Sequence, residues 1–293
     1  MREMDPDPRI VRCREAFLGQ ATERLGSHPS DFHPEMERIA ASGKTRTPRL
    51  AAGVLLPLIF RPSPDRNDSR EGRFLFQLIK RSARVSQPGD LSCPGGMVHP
   101  LLDRLLSPLL LHGPLPVISG QARVHALRRD PRSLRIMTLF LANALRESWE
   151  EIGLSPFRVR FLGPLPTHRL VRFQRTIFPL AGFIERPQTP HPNREVEKIV
   201  EIPLASFFQE GRIGCLTIFG PETAGADLSE PLRYPCLIHR DPDGREEILW
   251  GATFHIIVRF LEIVMDYRLP DWLNGPVIGR RLSVAYLTGR SQP

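Results

Sequence analysis

The stretch Ala144-Leu145-Arg146-Glu147-Ser148-Trp149-Glu150-Glu151-Ile152-Gly153-Leu154 places three carboxylates, an arginine and a glycine within eleven residues. A helix turns about 100° per residue, so Glu147, Glu150 and Glu151 share one face and Arg146 reaches Glu150 one turn on. Leu141, Leu145, Ser148 and Ile152 form a different, mostly apolar stripe that suits a core. Gly153 is placed to end the helix in a left-handed conformation that a Cβ would resist. Like charges at this spacing repel, and a hard divalent cation is one compensation. Carboxylate oxygens suit Mg²⁺ or Mn²⁺ and leave positions for water and substrate phosphates. A solvated acidic helix face is the plain alternative.

Upstream, Arg73 to Lys80 alternates as a strand, with Phe74, Phe76 and Leu78 on one face, and runs into Arg81-Ser82. Arg81, at the strand end, offers a planar fork to a phosphate, or is simply a surface charge. Pro94-Gly95-Gly96 follows. The two glycines let the backbone approach a ligand closely, or mark a tight turn with no ligand.

Together these residues resemble the Nudix box, G-x5-E-x7-R-E-U-x-E-E-x-G-U, where U is bulky and aliphatic. Arg146 to Leu154 matches its second half except at Ser148, which stands in place of U. Pro94-Gly95-Gly96 resembles the turn that opens the box, yet Arg146 lies fifty residues after Gly96 where the pattern allows fourteen, so about 36 residues are inserted between loop and helix. Six residues beyond Gly96 stands Leu102 where the box has glutamate, with Asp103 the nearest acid. Within the superfamily, Arg81-Ser82 and Gly89 to Gly96 resemble the two ends of the coenzyme A pyrophosphatase signature, L-L-T-x-R-S-x3-R-x3-G-x3-F-P-G-G. Here the middle is one residue short, Arg84 is out of register, and Cys93 replaces Phe. Glu195 to Leu204 and Glu247 to Thr253 are similar to two further elements of that branch. The corner at Trp250 and Gly251 reads as architectural.

Composition bounds the function. Apolar content of 41% and charged content of 25% are those of a globular protein, and thirty prolines point to many turns and irregular loops. A net charge of +8 favours polyanionic ligands. No aromatic-interleaved basic stretch offers a single-strand platform, so nucleic acid ranks below a phosphate-rich small molecule. Cys13, Cys93, Cys215 and Cys236 contain no C-x-x-C pair and read as reduced, mostly buried thiols, not a disulfide set or zinc site. The N-terminus lacks an apolar signal core, and prolines break the apolar run Leu105 to Ile118, so no membrane segment is expected and the cytoplasm is the expected compartment.

Along the chain we expect an N-terminal helical extension over 1–48, with helices from Arg9 to Leu25 (including Val11, Phe17 and Leu18) and from Pro34 to Ala41. A hydrolase-like domain is expected over 49–268 and a tail over 269–293. Strands are expected at Ala51–Phe60, Arg73–Lys80, Phe157–Leu162, Thr176–Ile184, Glu195–Pro203, Ile213–Phe219 and Tyr234–His239, and a terminal helix at Thr253–Asp266. The insertion, about 101–137, reads as an irregular excursion with a short strand around Gln121 to Leu127. It is either a basic lid or a solvated, tolerated loop.

The resemblance implies an α/β fold, an α/β/α sandwich with a mixed β-sheet and a loop-helix-loop motif. It implies Mg²⁺ or Mn²⁺ held by Glu147, Glu150 and Glu151, with Arg146 positioning the carboxylates. Arg81, Gly95 and Gly96 would contact substrate, and Glu147 or Glu195 would serve as base. Glu195 or Glu197 would add an acid to the metal site. The implied reaction is hydrolysis of the pyrophosphate of coenzyme A or acyl-CoA. Alternatives are another nucleoside diphosphate derivative, such as ADP-ribose or a dinucleotide, or a non-catalytic nucleotide-binding module. A homodimer stays open.

Overall fold

In the computed structural model, residues 13–43, 49–63, 71–112, 117–219, 231–282 and Tyr286 are described. Val11 and the start of the expected first helix lie outside them, as do residues 44–48 and 64–70.

The chain begins with helices α1 (Arg14–Ser27) and α2 (Phe32–Ser42). Strands β1 (Leu50–Pro62), β2 (Gly72–Arg81), β3 (Leu91–Ser92) and β4 (Gly95–Met97) follow. The segment read as an insertion then forms helices α3 (Leu102–Leu106), α4 (Leu109–His112) and α5 (Gly120–Arg128) before the long helix α6 (Pro131–Ile152). Next come β5 (Val159–Pro164), β6 (His168–Leu170), β7 (Arg175–Ile184) and β8 (Val196–Pro203). The chain closes with β9 (Ile213–Phe219), β10 (Leu232–Arg240), β11 (Glu246–Trp250), α7 (Gly251–Met265) and β12 (Val277–Arg281).

The near-continuous apolar run of β1 marks a strand buried on both faces, and that is its place. The main sheet runs β3-β2-β1-β7-β5, with β4 added to β1, β6 to β7 and β8 to β2. β1 pairs antiparallel with β2 and parallel with β7, so the sheet is mixed. Alternation sorts the side chains. Val54, Leu56, Leu58, Phe74, Phe76 and Leu78 face α1 and α7, whereas Leu55, Ile59, Leu75 and Ile79 face α6. Helices thus cover both faces, the expected α/β sandwich. A second sheet, β11-β10-β9-β12, stands beside it. No helix among the described residues is long and apolar enough to cross a membrane.

The insertion departs from expectation. Gln121 to Leu127 is helical within α5, not a strand. Its Ala, Gln, Arg and Leu are good helix formers, and Val124 is the only β-branched residue in that stretch. Ala122 and Ala126 of α5, with Leu110, Val117 and Ile118, pack into the α6-side core. The described insertion is therefore folded core, not an irregular excursion. Helix α6 itself starts early, where the Asp130 carboxylate accepts from the Arg132 and Ser133 backbone N–H groups at 3.0 Å and Pro131 takes the first helical position.

Phe140 of α6 stacks on Phe178 of β7 at 3.8 Å between centroids, and Phe32 of α2 packs edge-on against both. Phe140→Ala is expected to cost about 3–5 kcal/mol of stability, measured by urea unfolding, since it removes a fully buried ring from this junction.

Candidate functional site

Helix α6 meets the glycine turn of β4 because the helix backbone can approach β1 closely. A Cβ on Gly53 would lie 2.6 Å from Asn143 Oδ1 and 2.7 Å from the Phe140 carbonyl. In the space left, Asn143 Oδ1 accepts from the Gly53 N–H at 2.8 Å, and Asn143 Nδ2 donates to the Met97 carbonyl at 2.9 Å. Asn143 is fully buried and ties helix, β1 and turn together. Sequence reading passed over it, because a lone amide inside an apolar helix carries no motif.

Four residues later the charged face begins. Leu141, Leu145, Ser148 and Ile152 are buried toward the sheet. Ser148 fits in place of a bulky residue because its hydroxyl donates back to the Ala144 carbonyl at 2.6 Å. Gly153 ends the helix at φ 68°, with Leu154 N–H closing on the Ser148 carbonyl.

Arg146 is the hub. Its Nε donates to Asp103 Oδ1 at 2.8 Å, Nη2 to Glu147 Oε1 at 2.8 Å and Nη1 to Glu150 Oε2 at 2.9 Å. Burial opposes the charge on Arg146, but the bonds from Asp103, Glu150 and Glu147 outweigh it, so its pKa sits above the ordinary arginine value. Asp103 comes from the insertion. It is fully buried in α3, and its other oxygen accepts from the His99 N–H at 2.7 Å. The short helix α3 thus folds back onto α6 and brings Asp103 to Arg146. Sequence reading found the nearest acid without its partner, which lies 43 positions away.

Glu151 and Glu147 flank the glycine turn. Glu151 Oε2 accepts from the Gly95 N–H at 2.9 Å. A Cβ on Gly96 would lie 2.5 Å from Glu147 Cδ, so that carboxylate occupies the room the glycine leaves. Gly95 has φ 149°, and a Cβ there would strike the Gly53 carbonyl at 2.3 Å. Burial pushes Glu151 up to about 7; the Gly95 bond opposes the shift, the Glu147 charge adds to it, Arg81 opposes and Glu195 adds. Burial likewise raises Glu147, with Arg146 opposing.

Glu150 is different. Its side chain is 50% exposed and turned to Arg146. Among the described residues no three His, Cys, Asp or Glu side chains converge as a ready set of metal ligands. What the fold brings together is the pair Glu147 and Glu151, partly desolvated, mutually repelling and set around a cradle that only glycine permits. Two such carboxylates fit a hard divalent cation. Glu195 lies within electrostatic reach of Glu151, and its N–H donates to Asn193 Oδ1. Glu197 instead pairs with Lys80 at 3.4 Å, in the group that also joins Lys80 to Glu247.

The turn opens on a cavity of about 420 Å³. Arg81, Gly95 and Gly96 line it, as do Arg175, His168, His255, Tyr234 and Trp250. Arg81 is held by the Ser86 carbonyl at 2.8 Å through Nε. Trp250 and Gly251 form the expected strand-to-helix corner and also line the cavity, where the indole N–H donates to Asp90 Oδ1 at 3.2 Å. Three cysteines are buried and Cys13 is partly so, all as free thiols.

No family model matches the chain. Among solved structures it is similar to the Ap4A hydrolase of C. elegans in a binary complex, at 14% identity over 53% of this chain and 80% of that one, with a TM-score of 0.32. It is also similar to the M. smegmatis Nudix hydrolase RenU, at 16% identity over 54% and 73%, with a TM-score of 0.32. The Nudix domain of Shewanella oneidensis NrtR, complexed with ADP-ribose, overlaps 60% of this chain and 86% of that one, at 14% identity and a TM-score of 0.33. Likeness at this level carries no argument about substrate or reaction.

Two outcomes are expected. Asp103→Ala leaves part of the Arg146 charge buried without its partner and should cost about 1–3 kcal/mol in urea unfolding. A carboxyl whose folded pKa is raised stabilises the fold below its unfolded pKa, near 4.5, and loses that stabilisation as pH rises through about 7. Metal-free protein should therefore lose roughly 3 kcal/mol across that window through Glu151, and Glu151→Gln should remove this loss.

Proposed function

We propose that this chain is a metal-dependent pyrophosphohydrolase of the Nudix type, acting on a nucleoside diphosphate derivative, with coenzyme A or acyl-CoA as the substrate. The products would be 3′,5′-ADP and 4′-phosphopantetheine or its acyl form. The observation that carries this reading is the Arg146 clamp. It sets Glu147 against the Gly95–Gly96 turn beside Glu151, and that turn lines the same cavity as Arg81 and Arg175.

Glu147 and Glu151 at the turn, with Glu150 beside them, would hold Mg²⁺ or Mn²⁺. When bound, such a cation neutralises charge on the pyrophosphate oxygens and activates water. The protein's own contribution is positioning. Arg146, fixed by three carboxylates, keeps Glu147 and Glu150 in place. The Gly95–Gly96 backbone lines the cavity a phosphate would enter, and Arg81 offers that phosphate Nη1, the nitrogen not bonded to Ser86. Glu147 and Glu195 are the candidates to take the water proton.

Support for the coenzyme A reading comes from Arg81-Ser82 and from Gly89 to Gly96, in the order of that branch's signature. A second reading, another nucleoside diphosphate derivative, draws on Cys93 standing where the signature has Phe. Mass-spectrometric product analysis separates them, using coenzyme A, acetyl-CoA, ADP-ribose and NADH with Mg²⁺, Mn²⁺ or EDTA. Metal-dependent release of 3′,5′-ADP from coenzyme A is expected, and turnover of ADP-ribose or NADH alone would discard the branch. Absence of turnover in a folded, nucleotide-binding protein would discard the hydrolase. Glu151→Gln or Glu150→Gln should lower turnover by about a hundredfold or more with the fold intact by circular dichroism. Wild-type rates in either variant would remove that residue from the metal site.

A further inference from the structure

The cavity holds a second guanidinium to which no motif points. Arg175 opens β7, and two residues on, Ile177 packs into the core on the α7 side of the sheet. Strand alternation puts Arg175 on that same face, where it lines the cavity with Arg81 and Phe173. Its Nε is shielded from solvent and has no hydrogen-bond partner among the described residues. Burial lowers the pKa of Arg175, and the nearby charge of Arg81 lowers it further. Asp90, the one carboxylate among the described lining residues, is already engaged by Trp250, Arg280 and Tyr286. The His168 ring stacks on His255 at 5.5 Å, and burial beside that second imidazole pushes its pKa down to about 4. It therefore supplies no counter-charge, and no positive one, at neutral pH.

A partly buried guanidinium beside a like charge, with its Nε shielded and unpaired, costs the folded state stability. Packing does not require it, because an apolar side chain would fill the same room without the penalty. An anion entering the cavity would relieve both the burial and the repulsion, and a phosphoryl group matches the Arg175 fork with the one Arg81 nitrogen, Nη1, that Ser86 leaves. The lining also includes Tyr234 and Trp250, at 5.5 Å between centroids, an aromatic pair that suits a flat ring.

We propose that Arg175 is a specificity-determining anion anchor, binding a phosphoryl oxygen of a nucleotide together with Arg81 inside this cavity. The proposal rests on the cavity being the substrate site and extends that reading to a residue outside every motif. It does not need the ligand to be cleaved.

The test is isothermal titration of the full chain in EDTA, so that neither metal nor turnover enters the readout. Probes are ADP, inorganic pyrophosphate and adenosine. Arg175→Gln is expected to weaken ADP and pyrophosphate by about tenfold or more and to leave adenosine within about twofold, as befits loss of a charge-assisted bond. Arg175→Lys, which keeps the charge without the fork, should fall between. Unliganded Arg175→Met should melt at or above the wild-type temperature. Wild-type affinity for ADP and pyrophosphate in both Arg175→Gln and Arg175→Lys would overturn the proposal. So would an equal loss for adenosine, or a wild-type protein that binds neither anion. Arg175-dependent ADP binding in a protein that hydrolyses nothing would leave the anchor standing and remove the hydrolase. Hydrolysis with ADP binding indifferent to Arg175 would do the reverse.

Discussion

Three carboxylates converge on one guanidinium, and the architecture of the site follows from that compensation. Arg146 gathers Asp103 from the insertion, Glu147 beside it and Glu150 one turn on. Without a cation at the centre, Glu147, Glu150 and Asp103 would repel one another at the end of a helix whose last turn already carries negative partial charge. With it, Glu147 is fixed against Gly96, while Glu151 is held separately by the Gly95 N–H. The same contact set joins two chain segments that the insertion separates. Asn143 and Arg146 both reach the Met97 carbonyl, so helix and turn are stitched in spite of the residues between them.

The second sheet completes the cavity, and one carboxylate gathers three of its groups. Asp90, just ahead of the glycine turn, accepts from Trp250 of β11, Arg280 of β12 and the Tyr286 hydroxyl. Residues from the far end of the chain are thereby brought to the loop that precedes the turn. The cavity lining is built from two sheets. This lining joins polar groups, at Arg81 and the glycines, to aromatic ones at Trp250 and Tyr234.

The legible parts of this site were those with local periodicity. Glu147, Glu150 and Glu151 on one helix face, Gly153 as terminator and the buried stripe through Ser148 all follow from 3.6-residue spacing. β1 and β2 follow from apolar runs and alternation. The insertion was misread because its prolines and scattered arginines resemble a loop, whereas Ala122 and Ala126 pack on a face that only the folded core reveals. Asp103 was noticed as an acid out of place. Its pairing with Arg146 depends on how α3 folds back, which no spacing rule contains. Asn143 and Arg175 lack any motif; one is recognised by its bonds to backbone groups of two strands, the other by the bond it fails to make. Trp250 was legible as a corner, but its place in the cavity wall needed the second sheet.

The central claim is that Glu147 and Glu151, set around a glycine cradle by the Arg146 clamp, form the cation site of this chain. Crystals soaked in Mn²⁺ and measured for anomalous scattering test it directly. The account predicts an anomalous peak contacted by both carboxylates at the Gly95–Gly96 turn. A peak held by other residues, or no peak there at saturating Mn²⁺, would contradict it.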